Sequence, residues 1–174
     1  MEEFIKEKKK VHKILKAKKF AEKAHGDQMY GSYPYIKHLE LVSQLAEPFG
    51  ENAQVLSYLH DVVEDTETTV EEIKNEFGIY IAECIELITD CPGKNRKERK
   101  LKTNEKLTLS QNKDVLIVKT ADRLINMAIC IANKEKGLFT MYKNEYNEFK
   151  KAVYREGLCD KLWNLLDHAV ECQV

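Results

Sequence analysis

Glycine and proline are scarce in this chain, at 7 and 3 of 174 residues. Tight turns draw on those two residues, so a sandwich or barrel of many short strands is excluded and a mostly helical chain is expected. The five cysteines, at 84, 91, 130, 159 and 172, show no CxxC pair and no zinc-ribbon spacing. An odd, scattered set reads as reduced thiols, and the expected compartment is the cytoplasm. No run approaches the roughly 18 apolar residues of a membrane span, so no membrane partner is expected. The basic opening MEEFIKEKKK lacks the apolar core and cleavage site of a secretory signal. One-sided charge is also missing. Lys and Arg number 28 against 29 Asp and Glu, a net charge of −1 that disfavours nucleic acid as a partner. What is present, 43% hydrophobic and 33% charged residues, suits one compact domain over 1–174 with a buried core.

Hydrophobic spacing organises that domain into helices. An amphipathic helix is expected over 2–25, its other faces carrying nine Lys against four Glu between residues 2 and 24; a solvated basic face or contact with a phosphate-bearing ligand both suit it. The breaker-rich segment 26–34 reads as a loop, followed by a helix over 35–48. Asn52 is expected to cap a helix that runs unbroken through Val63, and Thr68 or Thr69 to cap one that stops at Gly78. Another helix spans 79–88. The nearly all-charged run 94–102 offers nothing to a core, so the next helix is expected only from Asn104 to before Asn112. Asp114 then caps a long apolar helix over 115–132, and C-terminal helices follow in the segment 139–171. The fold class is therefore all-α, a single-domain helical bundle.

Polar residues inside apolar helices mark where packing has yielded to something else. In Leu59-His60-Asp61-Val62-Val63-Glu64-Asp65-Thr66, His60 and Glu64 are four apart, as are Asp61 and Asp65, so an imidazole and three carboxylates share half of one helix surface. Such a cluster repels itself unless a cation neutralises it. His38 on the preceding amphipathic helix and Asp122 within the apolar run from Val115 raise the set to two imidazoles and two carboxylates. A mixed N/O set with open positions favours Mn²⁺ or Fe²⁺ (Co²⁺ being compatible) over a closed tetrahedral zinc site, and open positions mean catalysis. A divalent ion there activates water and stabilises charge on a phosphoryl oxygen, with Glu64 and Asp65 one turn beyond to take a proton.

Four segments in order, Ala24-His25-Gly26-Asp27-Gln28, Pro34-Tyr35-Ile36-Lys37-His38, His60 to Thr66, and Lys119-Thr120-Ala121-Asp122-Arg123-Leu124-Ile125-Asn126-Met127, resemble successive motifs of the HD-superfamily hydrolase of RelA/SpoT type, over about residues 20–130. The chain has no room for a nucleotide synthetase domain, so the resemblance is to the stand-alone small alarmone hydrolases. It implies an all-helical HD-type fold with one Mn²⁺ held by His38, His60, Asp61 and Asp122. It implies that Glu64 and Asp65 activate water, that Asn126 contacts the nucleotide, and that the 3′-diphosphate of guanosine tetra- or pentaphosphate is removed in a step of the stringent response.

Basic groups must meet the phosphates of such a substrate. Arg96 and Arg99 in the run 93–100 are the candidates, since a guanidinium grips phosphate bidentately, although the run also suits an exposed loop. Arg123 is a further candidate, with an ion pair that orients a metal-site carboxylate as its structural alternative. Where the better-studied alarmone hydrolases carry basic residues, this chain reads Met29-Tyr30-Gly31-Ser32-Tyr33; Tyr30 is expected either to stack on a base or to be packed. Two other functions stay open: an HD phosphohydrolase of another small phosphorylated nucleotide, a nucleotide monophosphate or the 2′-phosphate of NADPH, and a catalytically silent nucleotide-binding module.

Overall fold

The computed structural model describes the backbone of residues 1–174 and every side chain except those of residues 2–6. The chain divides into two compact units, Met1–Thr89 and Asp90–Val174.

In the first unit, α1 (Glu2–His25) leads through a two-residue hairpin, β1 (Met29–Tyr30) paired antiparallel with β2 (Tyr33–Pro34), into α2 (Ile36–Ala46). The expected loop over 26–34 thus contains a minimal sheet, with Gly31 turning it at a φ of 60° that only glycine adopts without cost. Helix α2 ends at Ala46 and tightens into a 3-10 turn, Glu47–Phe49, where Pro48 removes a backbone donor. Helix α3 (Glu51–Leu59) is the centre of this unit and packs on α1, α2 and α6. Its Ala53, Val55, Leu56 and Leu59 are fully buried. Gly50, not Asn52, sits at its N-cap.

The expected unbroken helix through Val63 does not form. Helix α3 stops at Leu59 and α4 (Val62–Asp65) begins after His60 and Asp61. The Ser57 carbonyl in the last turn of α3 accepts from His60 Nδ1 at 2.8 Å, so a side chain satisfies a terminal carbonyl. Val62 is buried in place of Val63. Thr69 caps α5 (Val70–Phe77) in a full capping box with Glu72, and Gly78 at φ 88° separates it from α6 (Ile79–Ile88). Three lysines of α1 are tied to other elements of this unit. Lys13 pairs with Glu51 at 3.2 Å, Lys18 with Glu40 at 2.6 Å and Lys16 with Glu76 at 2.9 Å, and Lys16 also donates to the Glu76 carbonyl at 2.6 Å.

The second unit starts with a helix that the sequence reading placed too late. Helix α7 (Arg96–Thr108) takes in most of the basic run, because the Asn95 side chain accepts from the Glu98 N–H and starts the helix there. Gly93 lies so close to its first turn that a Cβ would stand 2.9 Å from the Arg99 nitrogen. Helix α8 (Lys113–Asn133), capped by Asn112 rather than Asp114, is the central element and packs on α9 (Lys136–Val153) and α10 (Asp160–Glu171). Trp163 and Leu166 of α10 are buried with Val118, Ala121 and Met127 of α8. Arg155 gathers the C-terminal end of α7, donating to the carbonyls of Leu107, Thr108 and Ser110 at 3.0–3.2 Å. Among the described residues no helix is long and apolar enough to cross a membrane.

Candidate functional site

The break between α3 and α4 turns His60 and Asp61 toward the start of α2. His38, one turn into α2, and His60 are each 2% exposed, with ring centroids 5.6 Å apart. Both imidazoles approach one atom. Asp61 Oδ2 lies 3.1 Å from His60 Nε2 and 3.9 Å from His38 Nε2. Because His60 Nδ1 must donate to the Ser57 carbonyl, the neutral ring presents the lone pair of Nε2 to a carboxylate oxygen. Two acceptors in contact need positive charge between them, from a ring proton or from a metal cation. Two buried imidazoles and a carboxylate form a donor set that fits a divalent ion.

Tyr35, at the N-cap of α2, adds a group that the sequence reading missed. Its hydroxyl donates toward Asp61 Oδ2 at 2.6 Å and toward Asp65 Oδ2 at 2.9 Å. Burial, then the Asp61 charge, pushes the phenol far above its ordinary value, so it stays a donor. Aromatic rings hold it. His25 stacks on Tyr35 at 4.3 Å and 15°, and Tyr30 lies flat on His38 at 4.6 Å and 12°. His25 is buried and hydrogen-bonded through Nδ1 to Gln28 Oε1 at 2.8 Å. Glu64 is exposed on α4 and Asp65 is exposed beside it.

The remaining candidates belong to the second unit. Asp122 projects from α8, and the Asn126 amide donates to its Oδ1 at 2.6 Å. Arg123 is buried. Its Nη1 donates to Glu145 of α9 at 3.2 Å, and its guanidinium lies 4.7 Å from the Tyr142 ring centroid and 4.6 Å from that of Phe149. Glu145 also receives Arg96 in a two-pronged pair at 2.7 and 3.1 Å. One carboxylate thus joins two guanidiniums. Burial alone would raise the Glu145 carboxyl, but the Arg96 hydrogen bond and the Arg123 charge outweigh it and hold the group below its ordinary value. Burial pushes the Tyr142 phenol up to about 12, with the Asp122 charge adding to it. Arg99 is half-buried on the same helix as Arg96. Asp90 and Lys100 form a pair at 2.6 Å. The one sequence signal for Glu145 is its place between Tyr142 and Phe149 on the buried stripe of α9, a charge where an apolar residue is due.

Residues 17–149 match the HD domain family. The chain belongs to that family. Among its curated relatives, a guanosine-3′,5′-bis(diphosphate) 3′-pyrophosphohydrolase of Aquifex aeolicus is 31% identical over 83% of this chain, which corresponds to only 22% of that protein. One from Spiroplasma citri is 39% identical over 71% of this chain and 18% of its own length. The chain therefore spans about a fifth of the length of these relatives. The guanosine-3′,5′-bis(diphosphate) 3′-pyrophosphohydrolase MESH1 of Danio rerio is of similar size, 30% identical over 82% of both chains. Among solved structures, a metazoan ortholog of SpoT described as hydrolysing ppGpp superposes with a TM-score of 0.77 over 91% of this chain and 94% of its own, at 22% identity, and shares the fold. HD hydrolases depend on a divalent metal, and the His38, His60 and Asp61 donors suit one.

Proposed function

We propose that this HD protein is a Mn²⁺-dependent hydrolase that removes the 3′-diphosphate of guanosine tetra- or pentaphosphate in the cytoplasm. The observation that carries the reading is the convergence of two buried imidazoles on Asp61 Oδ2, with Asp65 tied to the same oxygen through Tyr35. The likeness to a fish enzyme of nearly equal length supports the substrate. His38, His60, Asp61 and Asp122 would hold the ion. When bound it would supply Lewis acidity to a phosphoryl oxygen and lower the pKa of water. Mn²⁺ is preferred for a mixed N/O set, with Fe²⁺ and Co²⁺ compatible.

Asp65 and Glu64 take the proton of the attacking water. Its oxygen bonds to the phosphorus next to the ribose as the P–O3′ bond breaks, and O3′ leaves with the proton the carboxylates pass on, giving pyrophosphate and guanosine 5′-diphosphate, or the 5′-triphosphate from the pentaphosphate. Arg96 and Arg99 meet the phosphates, Arg123 backs Arg96 through their shared Glu145, and Asn126 contacts the nucleotide.

The hairpin favours a second reading. Residues Met29 to Tyr33 carry no Lys or Arg, and Tyr30 is already spent on His38, which suits a different phosphorylated nucleotide that yields orthophosphate. The test is turnover of guanosine tetraphosphate by Mn²⁺-loaded protein, resolving pyrophosphate from orthophosphate, beside the Glu64→Gln/Asp65→Asn double variant. Pyrophosphate from the wild type and none from the variant is the expected result. Metal binding without turnover moves the substrate to another nucleotide.

A further inference from the structure

We infer that Tyr35 is a positioning residue: its hydroxyl locks the ion-holding carboxylate of Asp61 to the water-activating carboxylate of Asp65, so that the two are set as one unit. This rests on the metal-hydrolase reading above and adds a residue to it.

Three observations carry the inference. The phenolic oxygen is within hydrogen-bond distance of one oxygen on each carboxylate, 2.6 Å from Asp61 and 2.9 Å from Asp65, although the two residues are 26 and 30 positions away in sequence. The Asp61 oxygen it reaches is also the one the imidazoles of His38 and His60 approach. Tyr35 itself has little freedom. It is 8% exposed, stacked on His25, and met edge-on by Tyr30 at 5.8 Å and His38 at 5.7 Å.

The two carboxylates need such a tie. A carboxylate turns easily about its terminal torsion. Asp65 is exposed, at the end of a helix of four residues. A donor fixed by ring packing restricts both torsions at once, which is how groups outside the ligand set tune a metal site. One phenolic proton serves two acceptors, so the hydroxyl couples them: whatever draws Asp61 toward a cation changes the hydrogen bond left for Asp65.

The test is Mn²⁺ affinity, measured by titration with Mn²⁺ alone, for the wild type, Tyr35→Phe, Asp65→Asn and the double variant, with melting temperatures as the folding control. Phenylalanine keeps the stacked ring and removes only the hydroxyl. The expected result is an unchanged melt within a few degrees, Mn²⁺ binding weakened about 10-fold or more by Tyr35→Phe, and a smaller effect of that change when Asp65 is already Asn. Turnover should lose kcat by a similar factor while KM holds. Equal Mn²⁺ affinity for wild type and Tyr35→Phe, or strictly additive effects in the double variant, would overturn the inference and leave Tyr35 as packing. A wild type that binds no Mn²⁺ would overturn the metal-hydrolase reading along with it. Tyr35-dependent Mn²⁺ binding without guanosine tetraphosphate turnover would sustain the inference and discard only the substrate.

Discussion

The charged clusters of the two units solve the same problem in opposite ways. In the first, His38, His60, Asp61 and Asp65 bring acceptor atoms together around one oxygen, and the arrangement calls for a cation. In the second, Arg96 and Arg123 share Glu145, and aromatic faces cover what positive charge remains. The first cluster leaves acceptors to be neutralised, whereas the second neutralises its own charge and ties α7, α8 and α9 together through Glu145. Equal density of charged residues in a sequence therefore says little about function; the balance of donors and acceptors at the point of contact says more.

Substitutions can break that contrast. His60→Ala should have the largest effect on chemistry. Loss of an ion worth several kcal/mol of transition-state stabilisation lowers kcat by about 10³-fold or more, and Mn²⁺ titration should show binding lost or greatly weakened. Glu145→Ala should act on stability instead. It leaves two guanidiniums without their carboxylate, and because Arg96 and Glu145 keep side-chain exposures of 35% and 23%, the cost falls to about 2–3 kcal/mol, below that of a fully buried pair. Urea unfolding should show this shift, with Mn²⁺ affinity within about twofold of the wild type; a large loss of affinity would erase the distinction between the clusters.

The smallest effect concerns pH. The Glu145 carboxyl is held below its ordinary value by Arg96 and Arg123, so its folded pKa lies under the unfolded value of about 4.3. The stability it contributes is present above the unfolded pKa and is lost as pH falls through the folded one. The gap in unfolding free energy between the wild type and Glu145→Gln should be constant near neutrality and should shrink below about pH 4.3. A gap that widens on acidification would contradict the ion-pair account.

How much of this was legible in the sequence depended on whether the signal was local. Helix α6 was readable because Gly78 and Thr89 bracket it, and Thr69 because its partner Glu72 is three residues away. The break at His60 and Asp61 was hidden, since Val55, Leu56, Leu59 and Val62 continue a helical apolar pattern across it. The start of α7 was hidden for the converse reason. Its early turns bury little apolar surface and are secured by the Asn95 cap and the Arg96 pair with Glu145, 49 residues away. His38, His60, Asp61 and Asp65 stood out as polar residues on apolar helices, whereas Tyr35 resembles any helix-start aromatic until its hydroxyl is placed. Asp122 stood out within the apolar run from Val115, and the Asn126 amide one turn along donates to it.

The interruption after Leu59 has a consequence for electrostatics that no side chain carries. A helix end concentrates about half an elementary negative charge on its last carbonyls, and α3 ends within one residue of His60 and two of Asp61. The main chain of α3 therefore contributes its own negative potential beside the carboxylates, a background attraction for cations that point substitutions leave in place. Restoring helical continuity through residues 59–62 would move that potential away even with every donor residue retained.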